Sequence, residues 1–321
     1  MVDASVGFQC PDCVREGNRD IRVGRTVSGG TIHRDPALVT KILVGLNVGV
    51  YVLQYLSDGA VNDRFEMIGL RVAFEGDNYR LLSAAFLHAS ITHLLLNMLA
   101  LWIVGAVVEQ RLGRWRYLTV YLVSALAGSV FSYAVDPVFQ RSVGASGAVF
   151  GLFGALFILA LKLRFDVRGI ITIIAINVVI GFIPGVGINW RAHLGGLVAG
   201  ALLTAAMVYA PQRSRVVVSI GTAVVIVLAC VAVTFWRTDQ LKACTVAELQ
   251  LNQCGFTMPS AASTAARQNL STGVIPTVES STGVIQRQRV DTIRPPKMKA
   301  NPITTFQAPS ADTKSIEIAA M

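Results

Sequence analysis

The chain has 321 residues, 53% hydrophobic and only 15% charged, with a formal net charge of +9 and a mean hydropathy of +0.56. A soluble domain needs more polar surface than that, so the composition excludes an ordinary soluble enzyme and points to a polytopic membrane protein. The Lys and Arg residues are spread over the loops and read as membrane topology, not as a nucleic-acid-binding surface.

Residues 1–37 precede the first long apolar run and read as a cytoplasmic N-terminal segment. No cleavable signal peptide is visible, because the first apolar run comes late and more follow it. Arg15, Arg19, Arg22, Arg25 and Arg34 make the segment polybasic, which suits contact with anionic lipid. Cys10 and Cys13 form a single Cys-Pro-Asp-Cys, half of what a zinc site needs, with only His33 nearby as a further ligand. The pair reads as an incomplete metal module, and no cofactor is implied.

Crossing a bilayer core of about 30 Å takes roughly 20 apolar residues in a helix. Seven stretches qualify as candidates: 38–56, 92–108, 114–134, 146–163, 167–183, 192–210 and 216–236. The second and fifth are short by that rule, and the sixth contains a histidine. Arg111, Arg114 and Arg116, then Lys162, Arg164 and Arg168, then Arg213 and Arg215 fill alternate loops. The intervening loops carry fewer cations: Arg64, Arg71 and Arg80 in a long first loop, then Arg141 and Arg191. That asymmetry places the N-terminus in the cytoplasm and the C-terminus outside a cell membrane.

Cys230 reads as an apolar filler, whereas Cys244 and Cys254 fall outside, where a disulfide is chemically permitted. From about residue 257 the chain turns to Ser, Thr, Ala, Pro and Gln, with STGVI at 271–275 and again at 281–285. This composition reads as a disordered extension, since two short copies do not make a solenoid.

Polar side chains are expensive at membrane depth, so those that occur there are functional candidates. In FLHASITHLLLNMLALW, His93 and Asn97 are four apart and share a helix face. Ser146 opens the fourth span, and His193, in NWRAHLGGLVAG, lies at the start of the sixth. On the topology above, all four lie a short way in from the same side. A serine in such a helix is commonly a packing residue and an asparagine commonly interhelical glue. Their coincidence at one depth supplies a nucleophile, a base and oxyanion donors instead. Gly147 and Gly151 on one span, and Gly196 and Gly200 on the other, allow the close helix approach that a Ser–His pair requires. Gly144 and Gly147 free the backbone around Ser146 to point its amide at an oxyanion. Ala148 occupies the last position of what would otherwise be the Gly-x-Ser-x-Gly elbow of soluble hydrolases.

The pieces FLHASITHLLLNMLALW, VVEQRLG, GASGAVFG and AHLGGLVAG, in this order over residues 38–210, resemble the rhomboid intramembrane serine proteases. The resemblance implies an all-α, polytopic transmembrane bundle of about seven spans, in a six-plus-one arrangement. It makes Ser146 the nucleophile and His193 the general base of a dyad. His93, Asn97 and the Ser146 amide become the oxyanion hole, and Gly144, Gly147, Gly151, Gly196 and Gly200 pack around the site. Phe150 takes the position of an aromatic ring that stacks on the histidine, and Tyr79–Arg80 stands where a Trp–Arg pair is common. The absence of Asp and Glu from the predicted spans argues for a dyad without a third, acidic member. The expected organisation is a segment 1–37, a catalytic core 38–210, an additional helix 211–240 and an extracytoplasmic tail 241–321. The expected function is a serine endopeptidase cleaving single-span or polytopic membrane proteins near the outer face of the lipid bilayer, with no nucleic-acid partner. The alternatives are a catalytically inactive rhomboid-like protein that binds membrane clients, and a transporter. Retention of both Ser146 and His193 opposes the first, and the clustering of polar groups near one face opposes the second.

Overall fold

The computed structural model describes residues 2–4, 7–13, 26, 35–181 and 189–244 of the chain. Of the sequence-predicted tail 241–321, residues 241–243 belong to the last helix, while residues 245–321 with the STGVI repeats and Cys254, and also His33, lie outside the described residues. Near the N-terminus β1 (Val2–Ala4) pairs antiparallel with β2 (Gly7–Gln9). Cys10 and Cys13 follow, exposed and unbridged, and no group of three or more metal-ligating side chains occurs among the described residues.

The rest is helical. In chain order come α1 (Leu38–Leu56), α2 (Ala60–Phe65), β3 (Met67–Ile68), α3 (Gly69–Phe74), α4 (Arg80–Ser83) and α5 (Ile91–Leu112). Then follow α6 (Arg114–Val135), β4 (Arg141–Ser142), α7 (Ser146–Leu163), α8 (Arg168–Gly181), α9 (Trp190–Tyr209) and α10 (Arg215–Ala243). Among the described residues six helices, α1, α5, α6, α7, α9 and α10, are long and apolar enough to cross a membrane. The second span is longer than hydropathy alone suggests. It runs for 22 residues through a π-helical segment at Leu101–Gly105 and takes in Glu109. The fifth is shorter: α8 has 14 residues, about 21 Å of helix. The last is longer, 29 residues, and includes Arg237 and Asp239.

Burial sorts these helices into a centre and a periphery. The apolar window of α7 is 61% buried and those of α6 and α9 are 50% buried, whereas that of α10 is 11% buried. The centre is therefore α6, α7 and α9, packed tightly on one another. Glu109 near the end of α5 is buried and takes the free amides at the start of α1: its carboxylate accepts from Val39 N at 3.0 Å, Thr40 N at 2.8 Å and Thr40 Oγ1 at 2.8 Å. A carboxylate at a helix N-terminus satisfies orphan donors and meets the positive end of the helix dipole. That fixes α1 to α5.

The long first loop is ordered by Arg80. Its buried guanidinium donates to the carbonyls of Asp63 at 2.8 Å and Glu66 at 3.0 Å and to Asp77 Oδ2 at 2.7 Å. Tyr79 donates its hydroxyl to the Arg64 carbonyl at 2.9 Å. This loop reaches the α6–α7 connection through the pairing of β3 with β4 and through Arg141–Glu66 at 2.7 Å. Burial pushes the Glu66 carboxyl up, against the pull of Arg141. Ala84 O accepts from Gly144 N at 2.9 Å, two residues before Ser146. The loop, the C-terminal ends of α6 and α10 and the N-terminal ends of α7 and α9 thus share one end of the bundle.

Candidate active site

Ser146 is the first residue of α7 and is half-buried. The chain reaches it through Gly144 at φ +131°, a conformation that disfavours any side chain. A Cβ on Gly144 would lie 2.7 Å from Cε1 and 2.9 Å from Nε2 of His93. The missing side chain is therefore what lets the imidazole of α5 sit against the turn that carries the serine.

His93 is held at the start of α5, where Ser90 caps the helix by accepting from His93 N at 3.1 Å. Ala89 N donates to His93 Nδ1 over 3.5 Å, which leaves the ring proton on Nε2, the nitrogen facing Gly144. One turn on, Asn97 is buried and donates through Nδ2 to the His93 carbonyl at 2.9 Å, leaving its second amide hydrogen unused by that bond. Behind His93 lies His88, 2% exposed, with ring centroids 5.3 Å apart at 63°. Burial, helped by the neighbouring His93 and opposed by the backbone of Phe86, holds the His88 pKa down at about 4. His88 therefore acts as a neutral wedge behind His93.

His193 lies in the first turn of α9, and its ring stacks on Phe150 of α7 with centroids 4.0 Å apart and 9° between planes. It is buried, and its Nδ1 has no hydrogen-bond partner among the described residues. Packing orients the ring in place of a carboxylate. Glu109 inside α5 does not alter this, since its carboxylate is engaged at the start of α1. No hydrogen bond joins Ser146 Oγ to His193 among the described residues. Such bonds are often long in unliganded enzymes and tighten when substrate binds.

Two residues before His193, a buried polar cluster fixes the start of α9. Asp136, just past the end of α6, is 5% exposed and accepts from Arg191 Nη1 at 2.6 Å, Asn189 Nδ2 at 2.8 Å and the hydroxyl of Ser132. Asn189 in turn caps α9, its Oδ1 accepting from Ala192 N at 3.1 Å. The cap is legible in the run Asn189-Trp190-Arg191-Ala192, but its anchoring to Asp136 is a contact across 53 residues that no local pattern reveals.

The glycines meet across the α7–α9 interface. A Cβ on Gly196 would lie 1.9 Å from the Gly147 carbonyl oxygen, and one on Gly200 would lie 2.1 Å from that of Gly151. Gly196 and Gly200 thus each sit directly over a carbonyl of α7, whereas Gly195 faces α6, where a Cβ would meet the Ala127 carbonyl oxygen at 2.8 Å. Gly147 is less constrained, with its nearest such contact at 3.4 Å. Sequence reasoning missed Gly128 on α6, where a Cβ would meet the Ala192 carbonyl at 2.6 Å and which makes the interface three-sided. Its only local sign is the small-residue run Ala127-Gly128-Ser129. The structure thus gathers Ser146, His193, Phe150, His93, Gly144, Gly147 and Gly196 toward one end of the bundle, with Asn97 and Gly151 about one turn deeper and Gly200 near the middle of α9. Cys10 and Cys13 have no part in this cluster.

Comparison with known proteins gives this arrangement relatives. The rhomboid domain family matches residues 75–210, which span α4 to α9 and hold every residue of the cluster. Rhomboid protease GluP of Bacillus subtilis (strain 168) is 36% identical over 177 residues, covering 52% of this chain and 34% of that protein. Putative rhomboid protease YdcA of the same organism is 38% identical over 144 residues, covering 43% of this chain and 71% of YdcA. Rhomboid protease AarA of Providencia stuartii is 27% identical over 213 residues, covering 56% of this chain and 75% of AarA. The chain thus spans about a third of GluP's length and more of the other two. Identity at this level across most of YdcA, together with the family match over the helices that carry the site, shows that this multi-pass helical protein belongs to the rhomboid family.

Proposed function

We propose that the chain is an intramembrane serine endopeptidase working through a Ser146–His193 dyad. The observation that carries this reading is the stacked His193 on α9, held over Phe150 by a helix interface so close that Gly196 sits on the Gly147 carbonyl, one residue from Ser146. His193 takes the proton from Ser146 Oγ as the oxygen attacks the scissile carbonyl, and the carbonyl oxygen becomes an oxyanion. The proton then passes from His193 to the leaving amine as the C–N bond breaks. Water deacylates the enzyme by the same steps in reverse.

The Ser146 amide, free of intrahelical bonding at the start of α7, points to the oxyanion position together with His93 Nε2–H and Asn97 Nδ2. Each such donor is worth about 3–4 kcal/mol of transition-state stabilisation. Substrates are membrane proteins whose helices unwind locally near the outer face, because a helix hides its carbonyls in hydrogen bonds. The distribution of cationic loops supports a cytoplasmic N-terminus with this end of the bundle outside, and the disulfide at Cys244, just past α10, is consistent with an oxidising side there. On this reading residues 38–210 are the catalytic core, 1–37 and 241–321 flank it, and the bilayer is its working medium.

The test is cleavage of a single-span reporter in liposomes by the purified full chain. Wild type cleaves it, whereas Ser146→Ala and His193→Ala lose cleavage while keeping wild-type helix content. Equal cleavage by Ser146→Ala overturns the reading.

A further inference from the structure

The last helix is the least buried of the six, yet one of its flanks encloses space. Between α10, α6 and the α3–α4 connection lies a half-open cavity of about 370 Å³. Its lining changes character along α10. Leu126 and Val130 of α6 and Cys230 of α10 line the deep part, while Thr238, Lys242 and Asn78 of the α3–α4 connection line the part toward the helix end. From Cys230 to Lys242 is 12 residues, about 18 Å of helix, close to the roughly 15 Å depth of one leaflet of hydrocarbon. The cavity therefore matches one leaflet in depth and in polarity.

An empty void of this size forfeits dispersion contacts on every wall. Val231 and Phe235 of α10, both exposed apolar side chains, belong to its lining, so the filling material that suits it is hydrocarbon. Lys242 is exposed, lies at the polar end and has no ion pair among the described residues. A lysine at that depth extends its ammonium to the headgroup layer. We propose that this cavity is a lipid site: it takes one acyl chain of an anionic phospholipid from the leaflet at the active-site end, with the phosphate of that lipid on Lys242. The bound lipid then joins α10 to the first loop, whose Ala84 carbonyl holds the turn before Ser146. This assignment rests on the cavity and the charge, independently of the protease reading.

The experiment is native mass spectrometry of the full chain after exchange into phosphatidylglycerol-containing bicelles, with melting temperature followed on addition of the same lipid. Wild type retains one phosphatidylglycerol per chain and gains melting temperature. Val231→Trp changes an exposed residue of the lining and fills the space, so it loses the adduct roughly tenfold or more and gains no melting temperature. Lys242→Glu, at an exposed position that does not threaten folding, weakens phosphatidylglycerol retention by more than roughly fivefold, since fivefold is the effect of losing one cation near a headgroup and the new carboxylate also repels the phosphate. Wild-type protein that neither retains the lipid nor gains melting temperature overturns the proposal, as does Val231→Trp retaining lipid like wild type. Equal retention by wild type and Lys242→Glu overturns the headgroup assignment.

Discussion

Gly196→Ala should nearly abolish turnover while leaving the protein folded. The added Cβ would lie 1.9 Å from the Gly147 carbonyl oxygen, and ordinary contact begins at 3.4 Å, so the two backbones must part by about 1.5 Å. The obstacle is backbone on both sides, with no flexible side chain to swing away. Overpacking of this kind costs about 1–3 kcal/mol, which the rest of the α6–α7–α9 interface can absorb. The active site cannot absorb it in the same way. Gly147 follows Ser146 directly, and Gly196 is one helical turn from His193, so the displacement arrives between nucleophile and base. A misplacement of about 1 Å is worth roughly 100-fold in rate, so kcat in liposomes should fall by at least about that factor. Circular dichroism should be unchanged and the melting temperature only modestly lower. Gly221→Ala is the control, because nothing lies within 4 Å of the Cβ it would add on α10. It should keep wild-type kcat. Wild-type kcat in Gly196→Ala would refute the argument that this contact sets the dyad.

Three further outcomes follow from the same geometry. Phe150→Ala removes the ring stacked on His193 and should lower kcat more than KM, whereas Phe150→Tyr keeps the stack and should restore most of the rate; equal loss in both would show that stacking is not what orients the imidazole. Asp136→Asn breaks a buried, charge-assisted bond to Arg191 worth about 1.5–3 kcal/mol, so it should lower both melting temperature and kcat, and a kcat at the wild-type level would separate this clamp from catalysis. His88, held neutral with a pKa of about 4 against an ordinary 6.5, favours the folded state above pH 6.5, and that contribution is lost as pH falls from 6.5 through 4. The difference amounts to about 3 kcal/mol at most. Melting temperature should therefore drop over that window in wild type and drop less in His88→Gln; identical pH profiles would rule out this role.

The sequence made the helical bundle legible because seven apolar runs need no tertiary information to be seen. It misjudged their ends where the end is set by a partner. Glu109 extends α5 because the start of α1 binds its carboxylate, a pairing across 69 residues with no local sign. The Ser146, His193, His93 and Asn97 set stood out because polar groups are rare in apolar runs, and the glycine spacing made two helix faces visible. What remained hidden was whatever depends on contact between distant segments: the fit of His93 into the space at Gly144, the anchoring of Asn189 and Arg191 on Asp136, and Gly128 closing the third side. His88 was passed over because a histidine in a loop carries no penalty until burial is known.

The most direct test of the central claim is fluorophosphonate labelling of the purified full chain in liposomes, with the modified residue mapped by peptide mass spectrometry. An activated serine predicts a single adduct on Ser146, lost in Ser146→Ala and in His193→Ala. Folded wild-type protein that takes no label, or takes it equally in His193→Ala, would contradict the dyad.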